Sequence, residues 1–310
     1  MSVPTAVPPE ARARLTARFG PGAGPWCDAL PTLVAQLTWR WGLVVRESGG
    51  GGTSRVFRCT RLADGRPLWL KLTPDPQVAA QEAAALAAWA RTPAVVGMLE
   101  YDAATGALLL ADVAPGTPLR GRAWRPAEVA QLLTALRGAG VPGGSAVPSP
   151  PAQPAQPSLV SPASPANLPS LRERVGFLFD LTRRRAPGAA LGPARAAALD
   201  LAAAGPPGLV HGDLHAGNVL DGRDGLVAID PRPSLGDPDF DLVDWVLEGA
   251  EDLPGLERRI TELVALVPGA SAERVLAWCR ALAPLVAAPR AAAGRRDPQT
   301  VFLLELAAAG

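Results

Sequence analysis

The stretch Leu209-Val210-His211-Gly212-Asp213-Leu214-His215-Ala216-Gly217-Asn218-Val219-Leu220 gathers the side chains best suited to chemistry. Apolar residues enter and leave it, while its middle carries a carboxylate, two imidazoles, an amide and two glycines. The pattern predicts a polar loop pinned between two short buried strands. Buried polar groups cost free energy unless they are paired, so packing alone does not account for such a loop. Asp213 and Asn218 stand five residues apart, the separation at which phosphoryl-transfer loops carry a catalytic carboxylate and a metal-binding amide. Beyond them, Val227-Ala228-Ile229-Asp230-Pro231 reads as a further short apolar strand that delivers a second carboxylate. That order points to phosphoryl transfer from a nucleotide held with magnesium. Asp213 would act on the acceptor hydroxyl, and Asn218 with Asp230 on the ion.

Upstream, two features suit the nucleotide's phosphates. Leu43-Val44-Val45 reads as a strand running into Ser48-Gly49-Gly50-Gly51-Gly52-Thr53-Ser54, and Arg55 to Cys59 alternates like the returning strand of a hairpin. A glycine-rich turn lets backbone N–H groups approach a triphosphate closely, although an isolated run of this kind is more often a plain turn. The next strand, Leu68-Trp69-Leu70-Lys71-Leu72, carries a lysine in an apolar run, which is rare without a partner. A following helical stretch supplies Glu82, and this pairing is how phosphoryl-transfer enzymes position the α- and β-phosphates.

HGDLHAGNVL followed by AIDPRPSLGDPDFDL resembles the aminoglycoside phosphotransferase superfamily. The IDPRPSLGDPDFD form is similar to its antibiotic-kinase branch of streptomycin 6-phosphotransferases and hydroxyurea-inactivating relatives, with similar segments from Trp41 to Leu247. The resemblance implies an α+β, two-lobed protein-kinase-like fold: an N-terminal five-stranded antiparallel sheet with helices, then a mainly helical C-terminal lobe. It implies ATP and Mg2+ as cofactors and a hydroxyl of a streptomycin-like aminoglycoside as acceptor, giving antibiotic resistance. It also places the hinge at Ala111 to Gly116, where the backbone of Asp112 and Val113 would meet the adenine edge, and has Asp237 and Asp241 brace the catalytic loop. Pro231-Arg232 stands where a protein kinase carries Phe-Gly, and no APE-like segment appears after it, which argues against a protein substrate.

Composition narrows the remaining classes. Hydrophobic residues make up 48% of the chain and the net charge is +1, which favours neither nucleic acid nor another polyanion as partner. Cys27, Cys59 and Cys279 lack metal-site or redox spacing. The amino-terminal residues show no signal-peptide pattern, and no uncharged apolar stretch reaches membrane-spanning length. The expectation is a cytoplasmic enzyme, monomer or homodimer, with a small-molecule substrate and no membrane or nucleic-acid partner. The 29 arginines accompany a single lysine, Lys71, and the only two histidines are His211 and His215. In a chain so biased against these residue types, their placement indicates chemical demand.

Along the chain, helical spacing covers 11–19 and 29–41, and Val95–Leu99 and Ala107–Leu110 would complete the sheet. Residues 1–113 then form a nucleotide-binding lobe with a helical preface, and 114–310 a catalytic and substrate lobe. Within the latter, 141–169 is rich in Pro, Ser and Ala and reads as a linker. Further helices are expected over 126–138, 171–185, 193–204, 254–267, 271–287 and 299–308. Asp244, Glu248, Glu251 and Asp252 are candidates for a cationic acceptor, each equally explicable as a solvated helix end. Three other readings compete. His211, Asp213 and His215 would share a strand face and could hold a metal, but the flanking glycines favour a loop. A nucleotide-binding pseudoenzyme would not need all these groups. A kinase of another metabolite, or of hydroxyurea, stays open.

Overall fold

The strands of the first 111 residues pair into one sheet, and four of the five offer apolar residues to one covering helix. A computed structural model describes residues 5–50, 52–139 and 168–308. Among the described residues the chain forms two units. The first runs to Ala90 and resumes over Val96–Ala114, and the second takes Arg91–Val95 and the chain from Pro115 onward. In the first, helices α1 (Pro9–Phe19) and α2 (Ala23–Arg40) precede strands β1 (Leu43–Gly49), β2 (Arg55–Arg61) and β3 (Pro67–Leu72). Helix α3 (Pro76–Ala88) then leads to β4 (Met98–Asp102) and β5 (Ala107–Ala111). The five strands are ordered β1-β2-β3-β5-β4, and every neighbouring pair is antiparallel.

Leu30, Val34 and Leu37 of α2 pack on Phe57, Cys59, Leu68, Leu70 and Leu72. The period-2 alternation therefore sends Val56, Arg58 and Trp69 to the opposite face. Register sets Lys71 opposite Val56 on one side and Leu108 on the other. The expected strand at Val95–Leu99 lies three residues further on, at Met98–Asp102. Val95 instead bridges Ala228 in parallel, within the second unit.

The second unit contains β6 (Pro115–Pro118), α4 (Pro126–Ala139), α5 (Leu171–Arg185) and α6 (Gly192–Ala204), then β7 (Gly208–Val210), β8 (Val219–Gly222), β9 (Gly225–Ala228) and β10 (Ser234–Gly236). Helices α7 (Val243–Leu247), α8 (Leu253–Val264), α9 (Ala272–Ala292) and α10 (Pro298–Ala308) complete it. Two small ladders run through the helices: β7 pairs antiparallel with β10, and β6-β8-β9 form a three-stranded sheet. Strands β6 and β10 had no sequence signal, being four and three residues long. Of the expected linker, residues 141–167 lie outside those described.

Helix α9 is the spine of this unit. Among the described residues it is the one helix long and apolar enough to cross a membrane. It also buries Val275, Trp278, Cys279 and Ala283 in the core and carries Glu273, Arg274, Arg280 and Arg290. Asp237, fully buried, ties it to the segment after β10: Asp237 Oδ2 accepts from Arg274 Nε at 2.6 Å and from Trp278 Nε1 at 2.7 Å, while Oδ1 accepts from Asp239 N–H at 3.0 Å. Asp239 in turn takes Arg137 Nη2 at 2.5 Å and Ser271 N–H at 3.1 Å. Asp237 thus braces α9, and the expectation that it braces the catalytic loop directly is corrected. A buried charge left without its partner is expensive. Asp237→Ala is expected to lower unfolding free energy by about 3–5 kcal/mol, as urea titration followed by circular dichroism will read.

Candidate active site

The loop expected between two strands occupies the turn from β7 to β8. His211 comes directly after β7, a one-turn 3-10 segment covers Ala216–Asn218, and β8 starts at Val219. Gly212 adopts φ +76°, and any Cβ there would run into the Arg232 carbonyl oxygen, so glycine is required. The Arg232 N–H donates to the His211 carbonyl at 2.8 Å, tying the loop to the segment that carries Asp230.

Charge holds the Gly212 peptide units at both ends. Asp241 Oδ2 accepts from the His211 N–H at 2.7 Å and Oδ1 from the Gly212 N–H at 2.9 Å. On the other side, Arg174 of α5 donates to the Gly212 carbonyl through Nε at 3.2 Å and Nη2 at 3.0 Å. The same Nη2 lies 3.6 Å from Asp213 Oδ1. Arg174 is positioned by a capping box: Ser170 Oγ accepts from the Glu173 N–H, and the Glu173 carboxylate accepts from the Ser170 N–H. Leu235 N–H donates to the Pro169 carbonyl at 2.9 Å, fixing that helix start to β10.

Asn218 directs its amide nitrogen at Asp213, 2.9 Å from the carbonyl oxygen and 3.1 Å from Oδ2. With its amide hydrogens committed there, its carbonyl oxygen is the atom that could hold a cation. Asp230 has φ 56°, the only positive φ outside glycine among the described residues, and its carboxylate lies 3.2 Å from Arg232 Nη2. A left-handed aspartate before proline is a strained arrangement that persists where surrounding structure over-determines it. One carboxylate and one amide oxygen fit magnesium, which keeps several waters and is completed by substrate phosphates.

The two histidines do not form the alternative metal site. His211 is fully buried, and its Nε2 lies 3.2 Å from the Ile229 carbonyl, an acceptor only, so Nε2 carries the proton. Burial pulls its pKa down to about 4 against the opposing pull of Asp213 and Asp230. His215 uses Nδ1 to accept from the Gly217 N–H, capping the 3-10 turn at 3.0 Å. Among the described residues no group of three His, Cys, Asp or Glu side chains could hold a metal.

Asp244 is solvent-exposed. Its carboxyl is pushed up by the neighbouring protein and by the charges of Asp213 and Glu248, and pulled down by His215 and Arg174. Glu248 and Glu251 are exposed, whereas Asp252 caps α8 by accepting from the Gly255 N–H at 2.6 Å.

In the first unit, Lys71 Nζ lies 2.6 and 2.7 Å from the two carboxylate oxygens of Glu82, with the side chains 5% and 1% exposed. Gly49 pairs with Val56 at the hairpin's end. Gly50 has φ +141°, and a Cβ there would strike the Ser54 carbonyl, so glycine is again obligatory. The Thr53 carbonyl accepts from Thr73 Oγ1 at 3.0 Å and Ser54 is buried, while Gly52 has open space around it. Gly51 lies outside the described residues. Asp112 accepts from Trp69 Nε1 at 2.8 Å through its side chain, next to Val113. Residues that sequence reasoning missed are mainly arginines, Arg174, Arg137 and Arg274. Nothing distinguished them among 29 in the chain.

The sequence profile of the aminoglycoside/hydroxyurea antibiotic resistance kinases matches residues 159–294. The hydroxyurea phosphotransferase of Kitasatospora aureofaciens is 33% identical over 268 residues, spanning 84% of this chain and 73% of that protein. The streptomycin 6-kinase of Streptomyces glaucescens is 29% identical over 261 residues, 83% of this chain and 76% of that one. Choline kinase LicA from Streptococcus pneumoniae superposes with a TM-score of 0.58 at 14% identity, covering 90% of this chain and 99% of that one. A thermostable aminoglycoside phosphotransferase APH(4)-Ia, in ternary complex with ADP and hygromycin B, gives 0.52 at 16% identity, covering 88% and 96%. The fold is thus protein-kinase-like, as the sequence resemblance implied. The chain belongs to the aminoglycoside/hydroxyurea antibiotic resistance kinase family and is a small-molecule phosphotransferase.

Two opposed groups link stability to pH. An unfolded chain protonates His211 first as pH falls, so its contribution is lost between about 6.5 and about 4. Burial raises Asp241 to about 7 against the two N–H donors, so the folded state takes that proton first and gains stability as pH falls from about 7 to about 4. Asp241→Asn removes this gain on acidification and turns an amide nitrogen on one N–H donor, at about 1–3 kcal/mol. The stability gap between wild type and variant is expected to widen on acidification from pH 7 to 4, by thermal or urea unfolding. A gap that narrows would mean Asp241 stays ionised.

Proposed function

We propose that this kinase transfers the γ-phosphate of ATP to a hydroxyl of an aminoglycoside-type, streptomycin-like antibiotic, conferring resistance. One observation carries the reading. Asp213, with its side chain 37% exposed, is gripped from behind by Arg174 and Asn218, so the loop presents an accessible carboxylate rather than a buried structural one. Exposed Asp244 and Glu248 carry negative charge toward the same loop, which favours an acceptor bearing guanidinium or ammonium groups.

In this reading Lys71, braced by Glu82, binds the α- and β-phosphates, and backbone N–H groups of residues 49–54 cover the triphosphate. Asp112 and Val113 contribute main-chain contacts to the adenine edge. Asn218 and Asp230 hold Mg2+, which when bound neutralises charge on the β- and γ-phosphates. The acceptor oxygen forms its bond to the γ-phosphorus as the bond to the β-bridging oxygen breaks. Asp213 orients the hydroxyl and receives its proton, and ADP leaves. The ADP in the APH(4)-Ia complex supports an adenine nucleotide as donor.

A second reading, hydroxyurea as acceptor, is favoured by the 33% identity to a hydroxyurea phosphotransferase. Hydroxyurea is small and uncharged, so it gains nothing from exposed carboxylates. Rates with streptomycin and with hydroxyurea, in wild type and in Asp244→Asn, separate the two. The aminoglycoside reading expects streptomycin turnover with KM raised several-fold in the variant, about 1 kcal/mol for a lost exposed charge contact. Turnover of hydroxyurea alone would reject it.

The roles of base and phosphate anchor are separable by kinetics. Asp213→Asn keeps size but loses charge and basicity, and is expected to cut kcat by roughly 10²–10⁴ with nucleotide affinity nearly unchanged. Lys71→Ala is expected to weaken nucleotide affinity and rate together. Calorimetric titration of ATP beside steady-state rates provides the check, and undiminished turnover in Asp213→Asn would remove the assigned base.

A further inference from the structure

The catalytic loop meets a cation that the proposed chemistry does not require. Arg174 sits on α5, remote in sequence from the loop, and its side chain is 10% exposed. Surface ion-pairing does not explain it, because its main partner is a carbonyl, that of Gly212, taken by two nitrogens of one guanidinium. Asp213 begins at the very peptide bond whose oxygen Arg174 holds, and the Asp213 carboxylate lies 3.6 Å from the same Nη2. Asp241 holds the N–H of the preceding peptide unit from the opposite charge. The backbone before the base is therefore held between a carboxyl group on its donor side and a guanidinium on its acceptor side.

Resting on the kinase reading, we infer that Arg174 is the positioning residue for the catalytic carboxylate, fixing the Gly212–Asp213 peptide plane and the side-chain direction of Asp213. A single fork performs both tasks because a planar guanidinium offers several N–H donors at fixed angles. A lysine supplies the charge without the fork, and its one ammonium would have to choose between the carbonyl and the carboxylate. The charge of Arg174 also pulls down the Asp244 carboxyl, against the upward push of Asp213. Phe177, one turn along α5, lies with its ring centroid 5.9 Å from the guanidinium carbon and limits sideways drift.

The role makes a kinetic signature that a merely structural arginine would not. Misplacing a reacting group by about 1 Å costs on the order of 10² in rate. Arg174→Ala is expected to lose about that factor in kcat, with KM for ATP within about twofold. Added guanidinium ion, at concentrations below those that unfold the protein, is expected to restore a measurable part of kcat to Arg174→Ala, while equimolar sodium does not. Arg174→Lys should stay impaired and show no such rescue. In the Asp213→Asn background, Arg174→Ala should cost only a few-fold more, since residues acting through one group are not additive.

Should Arg174→Ala fail to fold, Arg174→Gln, which keeps one donor for the Gly212 carbonyl, carries the same kinetic test. Loss of kcat in the Asp213→Asn background as large as in wild type would overturn the inference. So would wild-type turnover in the alanine variant. A wild-type enzyme that transfers phosphate to no hydroxylated acceptor would instead overturn the kinase reading itself.

Discussion

One buried carboxylate, Asp241, receives two consecutive backbone N–H groups, and the geometry of the loop between β7 and β8 depends on it. A main chain turning at a left-handed glycine has no ladder to satisfy its donors, so the donors must end on something. A carboxylate suits two of them, since each oxygen takes one. Its own burial raises the free energy of its charge, and the two donors with Arg137 offset that rise. This is a polar network in which every member is needed, because leaving any buried member unpaired costs more than the bond it made.

The network extends outward in layers. Asp239, two residues earlier, joins Arg137 of α4 to the start of α9, and Asp237 joins the same region to Arg274 and Trp278. Three aspartates in a five-residue segment therefore connect the loop, α4 and α9. Aspartates near a helix start are easily read as simple caps, and Asp237 does cap by accepting from the Asp239 N–H. The cap is the smaller part of its work, since its other oxygen fastens two side chains of a helix 37 and 41 residues away in sequence.

A different balance governs the first unit. Its sheet is held by apolar packing under α2. Its buried Lys71–Glu82 pair offers little as a source of stability, because desolvating two charges cancels most of their attraction. Such a pair makes sense as a fixed cation direction in a strand that neighbours hold rigidly on both sides. Strain tells a similar story at Asp230, whose left-handed backbone is maintained by flanking contacts: Ile229 N–H to the Asn218 carbonyl and Arg232 N–H to the His211 carbonyl.

Taken alone, the sequence determined the class of fold and the family. Periodicity in Phe57, Cys59, Leu68 and Leu70, and the HGDLHAGNVL and IDPRPSLGDPDFD motifs, are local patterns, and local patterns survive without coordinates. It also singled out Lys71, Glu82, Asp213, Asn218 and Asp230 as candidates, because rare side chains in apolar or glycine-rich settings are visible in one dimension, and the structure pairs Lys71 with Glu82 and Asn218 with Asp213. What tertiary structure decided is which charges meet. Arg174 lies 39 residues from Asp213, Arg274 lies 37 from Asp237, and Arg137 lies 102 from Asp239. In a chain with 29 arginines no spacing rule selects these three. Only the packing of α4, α5 and α9 around the loop brings each guanidinium within reach of its carboxylate, and electrostatic pairing acts over a few ångströms of space rather than along the chain.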